Sequence, residues 1–120
     1  MIFKFNFVNS LPIYLQLVEQ LELYVISGKI PPGSKLPSVR ELAEQARVNP
    51  NTMQRALQEL ESSGLIYTER TNGKYVTNHL KKIHQKRHHF IKQKADNFLK
   101  NMENLGFTKR DIIKIIKSLE

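Results

Sequence analysis

The chain of 120 residues contains no cysteine, which excludes a disulfide framework, a thiolate nucleophile and any cysteine-ligated zinc or iron–sulfur site. It also lacks any run of about 18 apolar residues, the length a membrane-crossing helix requires. Its opening, MIFKFNFVNS, has neither the basic-then-apolar order nor the small-residue cleavage site of a secretory signal. A reducing cytoplasm is therefore the expected compartment, with no membrane partner. There is no internal repeat, no low-complexity linker, no Gly-rich loop to cradle phosphate and no carboxylate–histidine grouping away from surface positions. Those absences argue against an enzyme and against a bound cofactor. His84 and His88 stand four residues apart, as helical metal ligands can, with His79 and His89 nearby. No carboxylate lies within a turn of them and their neighbours are cationic, so no metal site is expected.

What is present suffices for one compact domain, or for a small domain with a helical appendage, since 40% of the residues are hydrophobic. The formal net charge of +8 suggests an anionic partner, but its distribution matters more than its size. Residues 1–78 carry eight Lys/Arg against seven Asp/Glu, whereas residues 79–120 carry eleven against four. The excess belongs to the C-terminal third, so the basic balance says nothing about what the first part binds.

Phe3, Phe5 and Phe7 alternate with Lys4 and Asn6, the period of a half-buried strand or extended arm. Pro12 is a favoured first-turn residue, and Ile13, Leu17, Leu21, Tyr24 and Val25 then keep helical spacing up to a closing Gly28. Pro31-Pro32-Gly33 forms a rigid turn. Beyond it, Ser38 and Glu41 make a capping box for a helix whose apolar stripe is Val39, Leu42, Ala43 and Ala46. Asn49 caps a further helix with Pro50 at its first position and Met53, Ala56, Leu57 and Leu60 facing inward, ended by Gly64. Only Arg47 and Val48 separate these two helices, so they must cross steeply, as in a helix-turn-helix. Residues 66–70 and 74–77 read as two strands around Thr71-Asn72-Gly73, with Asn-Gly the preferred pair for a tight hairpin. A long helix over about 79–105, stopped by Gly106, precedes a last helix opened by a Thr108–Asp111 capping box.

Helical geometry puts Asn51, Arg55, Gln58 and Ser62 opposite the core stripe of the third helix. Its first two turns carry no acid, because Glu59 and Glu61 come late. Asn and Gln pair bidentately with adenine and Arg with guanine, so this face has the chemistry of major-groove readout. Asn49 and Thr52 sit where the helix N-terminus offers backbone N–H groups to phosphate, and Arg40 is placed for another phosphate. Lys74, expected at the hairpin tip, is either a further phosphate contact or an ordinary solvated lysine. A solvated amphipathic helix also has a polar outer face; it is the combination with the tight turn, the caps and the hairpin that favours DNA.

Those same residues carry a family resemblance. Pro12-Ile13-Tyr14-Leu15-Gln16, Gly28, the run from Pro32 through Leu36-Pro37-Ser38-Val39-Arg40-Glu41-Leu42-Ala43, and the run from Val48 through Glu61 to Gly64-Leu65-Ile66 resemble the N-terminal signature of GntR-type winged-helix regulators over about residues 10–77. The resemblance implies DNA contacts from Ser38, Arg40, Asn49, Asn51, Thr52 and Arg55, with Gly73 and Lys74 in the wing. One departure is Thr71-Asn72-Gly73-Lys74-Tyr75, where the family has an Arg/Lys-Gly before Gly-Thr/Ser and an aromatic residue.

About 43 residues follow the wing, too few for the large effector or enzyme domains of most such proteins. The short two-helix tail resembles the YtrA-like subgroup, which implies a role in dimerisation. Ile91, Ala95, Phe98, Met102 and Leu105 on the long helix, with Ile112, Ile115, Ile116 and Leu119 on the last, form apolar faces that a second subunit would cover. Ahead of them, Lys81, Lys82, Lys86, Arg87, Lys92 and Lys94 make a basic stretch that either touches flanking phosphate or is simply solvated. The expected architecture is mainly α with a small β-wing: a winged helix-turn-helix over 1–78 and a helical dimerisation tail over 79–120. The expected function is sequence-specific regulation of transcription, by a homodimeric repressor on a palindromic operator, in response to an unidentified effector. The alternative is a non-specific or architectural nucleic-acid-binding protein.

Overall fold

The computed structural model describes residues 3–120. It consists of α1 (Ile13–Ile26), α2 (Val39–Ala46), α3 (Pro50–Ser62), a hairpin of β1 (Ile66–Glu69) and β2 (Gly73–Val76), α4 (Leu80–Asn104) and α5 (Lys109–Ser118). The chain divides into two compact units, Met1–Gln85 and Lys86–Glu120.

In the first unit α3 is central and packs against α1, α2 and β1. Leu17, Val25, Ile30, Leu42, Met53, Leu57, Leu65, Ile66 and Val76 are essentially inaccessible to solvent and form one core. Each such side chain contributes ~1.5–3 kcal/mol by leaving water. The stripes expected on α2 and α3 are the ones buried, except that Val39 stays half-exposed at the rim.

The N-terminal segment is extended but pairs with no strand. Its backbone is held by side chains of α1 and, at Phe3 N–H, by Gln45 Oε1 of α2 at 2.8 Å. Val8 donates to Gln16 Oε1 at 2.8 Å, and Gln16 Nε2 donates to the Val8 and Leu11 carbonyls at 2.9 and 2.8 Å. Asn6 exchanges both backbone bonds with the Gln20 amide, and Lys4 does the same with the Tyr24 hydroxyl. Successive partners are two residues apart on the arm and four apart on the helix. Two residues of extended chain advance ~6.6 Å and four of helix ~6.0 Å, so the two repeats stay in step. Phe3 is buried by this arrangement, its ring 4.8 Å from that of Tyr24, while Lys4 and Asn6 face water. Pro12 is the N-cap of α1 rather than a first-turn residue, and no side chain caps that end.

The turn between α2 and α3 is closed by Arg47 at φ 57°, ψ 47°, with Val48 N–H donating to the Ala43 carbonyl at 3.0 Å. Arg47 is the one non-glycine with positive φ among the described residues. A side chain in that region costs ~1–2 kcal/mol, which the two-residue turn imposes.

β1 and β2 are antiparallel, with Ile66 opposite Val76 and Glu69 opposite Gly73. The connection is Arg70-Thr71-Asn72, and Gly73 opens β2 at φ +102°. The strands are thus displaced from the expected 66–70 and 74–77, and Asn72-Gly73 does not form a two-residue turn. Asn72 N–H instead donates to the Glu69 carbonyl at 3.3 Å, so the chain turns over residues 69–72, and Gly73 with its positive φ brings it into β2. A further contribution was not legible in sequence: residues 34–36 run along β2, with Val76 N–H donating to the Ser34 carbonyl and Leu36 N–H to the Lys74 carbonyl. This anchors the wing directly to the segment that leads into α2.

In the second unit, the last part of α4 and α5 are separated by Gly106 at φ +94°, and Thr108 and Asp111 form the expected capping box. Ile112 is buried, whereas Ile91, Phe98, Leu105, Ile115, Ile116 and Leu119 are exposed.

Candidate nucleic-acid interface

Two caps fix the helix-turn-helix. Ser38 Oγ accepts from Glu41 N–H at 3.1 Å while the Glu41 carboxylate accepts from Ser38 N–H at 3.2 Å. That backbone bond, followed by the Ser38 side chain, holds the Glu41 carboxyl below its ordinary pKa. Asn49 Oδ1 accepts from Asn51 N–H at 2.7 Å. Ser38 and Asn49 therefore both act as caps.

Arg40, Asn51 and Arg55 are exposed and Thr52 is half-exposed. Arg40 stands at the start of α2, and the leading turns of α3 present the other three without an acid in the first turn. Arg55 is not free in space: its guanidinium lies 4.2 Å from the centroid of the Tyr14 ring on α1. A cation over a ring face is held there by the ring quadrupole, so α1 limits the directions available to the Arg55 fork.

The expected wing residues divide. Gly73 lies at the end of the hairpin connection, but Lys74 is inside β2, opposite Thr68. Its ammonium donates to Thr68 Oγ1 at 3.0 Å and to Glu61 Oε1 at 3.3 Å, and its side chain is only 16% exposed. Thr68 Oγ1 in turn donates to Glu61 Oε1 at 2.5 Å. The Thr68 hydroxyl first, and Lys74 second, keep the Glu61 carboxyl below its ordinary pKa. This group ties the wing to the back end of α3.

Between the start of α2 and the wing runs an open groove of about 780 Å³. Its wall includes Ser38 at the start of α2, Gln54 of α3, and Arg70 and Gly73 of the wing. Gln54 was not singled out from the sequence, because it is adjacent to buried Met53 and sits on the flank of the polar face. Its spacing of three from Asn51 was the available signal.

The basic stretch at the start of α4 is also differentiated. Ile83 is buried, and the Lys82 side chain lies over Gly64, where a Cβ would collide with its ammonium. Lys82 thus sits at the C-terminal end of α3, where a cation is favoured by the helix dipole. No cluster of three or more His, Cys, Asp or Glu that could hold a metal occurs among the described residues, and none of their helices is long and apolar enough to cross a membrane.

The profile of the family described as "Bacterial regulatory proteins, gntR family" matches residues 13–76, the span from the start of α1 to the end of the wing. The chain belongs to this GntR family. It is 37% identical over 113 residues to the HTH-type transcriptional regulator YhcF of Bacillus subtilis, covering 94% of this chain and 93% of that one. It is 45% identical over 73 residues to the HTH-type transcriptional repressor YtrA of the same organism, covering 61% of this chain and 56% of YtrA. A GntR family transcriptional regulator from Listeria monocytogenes superposes with a TM-score of 0.88 at 43% identity, over 95% of this chain and all of that one. A further solved structure, the AraR DNA-binding domain in complex with operator ORX1, gives a TM-score of 0.58 at 30% identity over 64% of this chain and 99% of that domain. This GntR protein is thus a transcription regulator with a DNA-binding winged helix-turn-helix, mainly helical with a two-stranded wing. The resemblance to YtrA-type regulators and the mainly α fold expected from sequence both stand.

Proposed function

We propose that the protein is a homodimer that represses transcription in the cytoplasm, on the nucleoid, by occupying a palindromic operator. The observation that carries this reading is the exposed, acid-free leading face of α3, with Asn51, Thr52 and Arg55 outward and both helix caps satisfied. In this reading α3 enters the major groove. Asn51 and Arg55 meet base edges, Thr52 and Arg40 meet phosphate, and Ser38, Asn49 and Gly73 shape the backbone that approaches the strand. Support comes from the repressor YtrA and from the operator complex of the AraR domain.

Dimerisation is assigned to the second unit. Ile91, Phe98, Leu105, Ile115, Ile116 and Leu119 leave large apolar surfaces in water, with Ala95 and half-buried Met102 between them. A two-fold dimer covers such faces and matches an operator with half-sites about one helical turn apart. Ile112 is buried within a single chain, so its part is to hold the second unit together rather than to meet a partner. An unidentified small-molecule effector that alters dimer geometry completes this reading.

Selection of bound duplexes from a random DNA pool by the purified chain tests it. A recovered palindrome is expected. Recovery of a single unrepeated half-site would remove the two-fold reading. Binding that is salt-sensitive but enriches no sequence would favour an architectural role, which the concentration of positive charge in residues 79–120 makes the second reading.

A further inference from the structure

The wing's cationic contact with DNA can be assigned from the way its lysines are engaged. Lys74, the residue that sequence position favours, has its ammonium bound to Thr68 and Glu61 and its side chain largely covered. Releasing it to a phosphate would leave the Glu61 carboxylate without its cation. Lys35 is different. Its backbone bridges to Tyr75 beside β2, and its aliphatic stem passes Gly73 so closely that a Cβ there would stand 3.3 Å from Lys35 Cε. The missing side chain at Gly73 is what lets this stem lie across the wing. Arg70, the first residue of the hairpin connection, is exposed and lines the same groove.

We infer that the groove between α2 and the wing holds the phosphates of one DNA strand, gripped by Lys35 and Arg70, and that Lys74 is a positioning residue that fixes the wing. The inference rests on the DNA-binding reading above. Two carboxylates share the groove wall. Glu41 is held in the capping box by Ser38. Glu69, opposite Gly73 in the hairpin, is the second, and two cations, Lys35 and Arg70, line the groove with it. With the backbone gripped there, Gln54 on the groove wall reaches a base edge of the same strand. Phosphate contacts set register while base contacts set sequence, so the two roles are separable by experiment.

The test is the salt dependence of affinity, measured with the full chain on a duplex recovered by selection and on an unrelated duplex. Lys35→Gln and Arg70→Gln should each reduce the slope of log K against log salt by about one and weaken binding to both duplexes alike. Neither should lower the thermal midpoint of the protein. Lys74→Gln should lower that midpoint and leave the slope as it was. Lys74→Arg, which keeps a cation beside Glu61, should restore the midpoint and so separates loss of the wing from loss of a contact. Unchanged slopes for Lys35→Gln and Arg70→Gln, with a reduced slope for Lys74→Gln, would overturn the assignment while leaving DNA binding intact. If the unsubstituted chain retained no duplex at all, the DNA-binding reading would fall first and this inference with it.

Discussion

The guanidinium of Arg55, on the outer face of α3, lies 4.2 Å from the centre of the Tyr14 ring at the start of α1. The first helix is therefore not only a support for the core. It orients a side chain whose planar fork suits guanine. Arg55→Ala should cost roughly 1–3 kcal/mol in operator affinity and relax a single base position. Tyr14→Leu should cost less, about the 0.5–1 kcal/mol of an exposed cation–π contact, and should add little to Arg55→Ala in the double variant. Titrations against a panel of single-base operator substitutions distinguish this from a phosphate role, in which Arg55→Ala would weaken all sequences equally.

Among the side chains that hold the arm, one is a buried amide. Gln16 is 9% exposed and makes three hydrogen bonds to residues 8 and 11. Gln16→Ala removes all three and leaves backbone groups short of partners, so about 1–3 kcal/mol of stability should be lost. Gln20→Ala, at an exposed pair of bonds, should cost a few tenths of that because water replaces them. Urea denaturation of the two variants checks the order; equal effects would mean that burial of the Gln16 bonds adds nothing to their contribution.

Arg47 holds a left-handed conformation in the helix-turn-helix. Arg47→Gly should relieve the ~1–2 kcal/mol steric cost and give back part of it as unfolded-state entropy, for a net gain of about 0.5–1 kcal/mol. A higher denaturation midpoint is expected. A lower one would show that the exposed Arg47 side chain makes a stabilising interaction that outweighs the backbone cost.

Three carboxyls, Glu41, Glu61 and Asp111, are held below their ordinary pKa, chiefly by the Ser38 backbone N–H, the Thr68 hydroxyl and the Thr108 backbone N–H respectively. A carboxyl whose folded pKa is depressed adds stability above its unfolded value, near 4.5 for Glu and 3.8 for Asp, and loses it as pH falls through the folded value. Stability should therefore be flat near neutrality and decline below about pH 4.5. Glu61→Gln should make that decline shallower. All three groups are exposed to solvent at least in part, so each effect is modest and reduced by salt.

For the second unit, Phe98→Asp or Ile116→Asp should shift the protein to a monomer in sedimentation analysis while its helix content remains. Ile112→Asp should instead reduce helix content, because that side chain is buried within one chain. A monomeric variant that bound a full palindrome as tightly as the parent would remove dimerisation from the mechanism.

The local order of the chain determined much of this protein. Fixed caps at Ser38, Asn49 and Thr108, glycines at the ends of helices, and apolar periodicity specify five helices and a hairpin, because each of these signals acts within a few residues. The polar leading face of α3 was legible for the same reason: Asn51 and Arg55 are placed by helical spacing from Met53 and Leu60. Tertiary structure decided how those side chains are engaged. Lys74 falls to Glu61 and Thr68, Arg55 to the Tyr14 ring, Lys82 to the end of α3, and residues 34–36 to the edge of the wing. Each of these contacts joins residues 6 to 42 positions apart. A long side chain goes to whichever oppositely charged or aromatic group packing brings within a few ångströms, and a backbone edge to whichever segment passes beside it. Sequence spacing alone does not encode those distances.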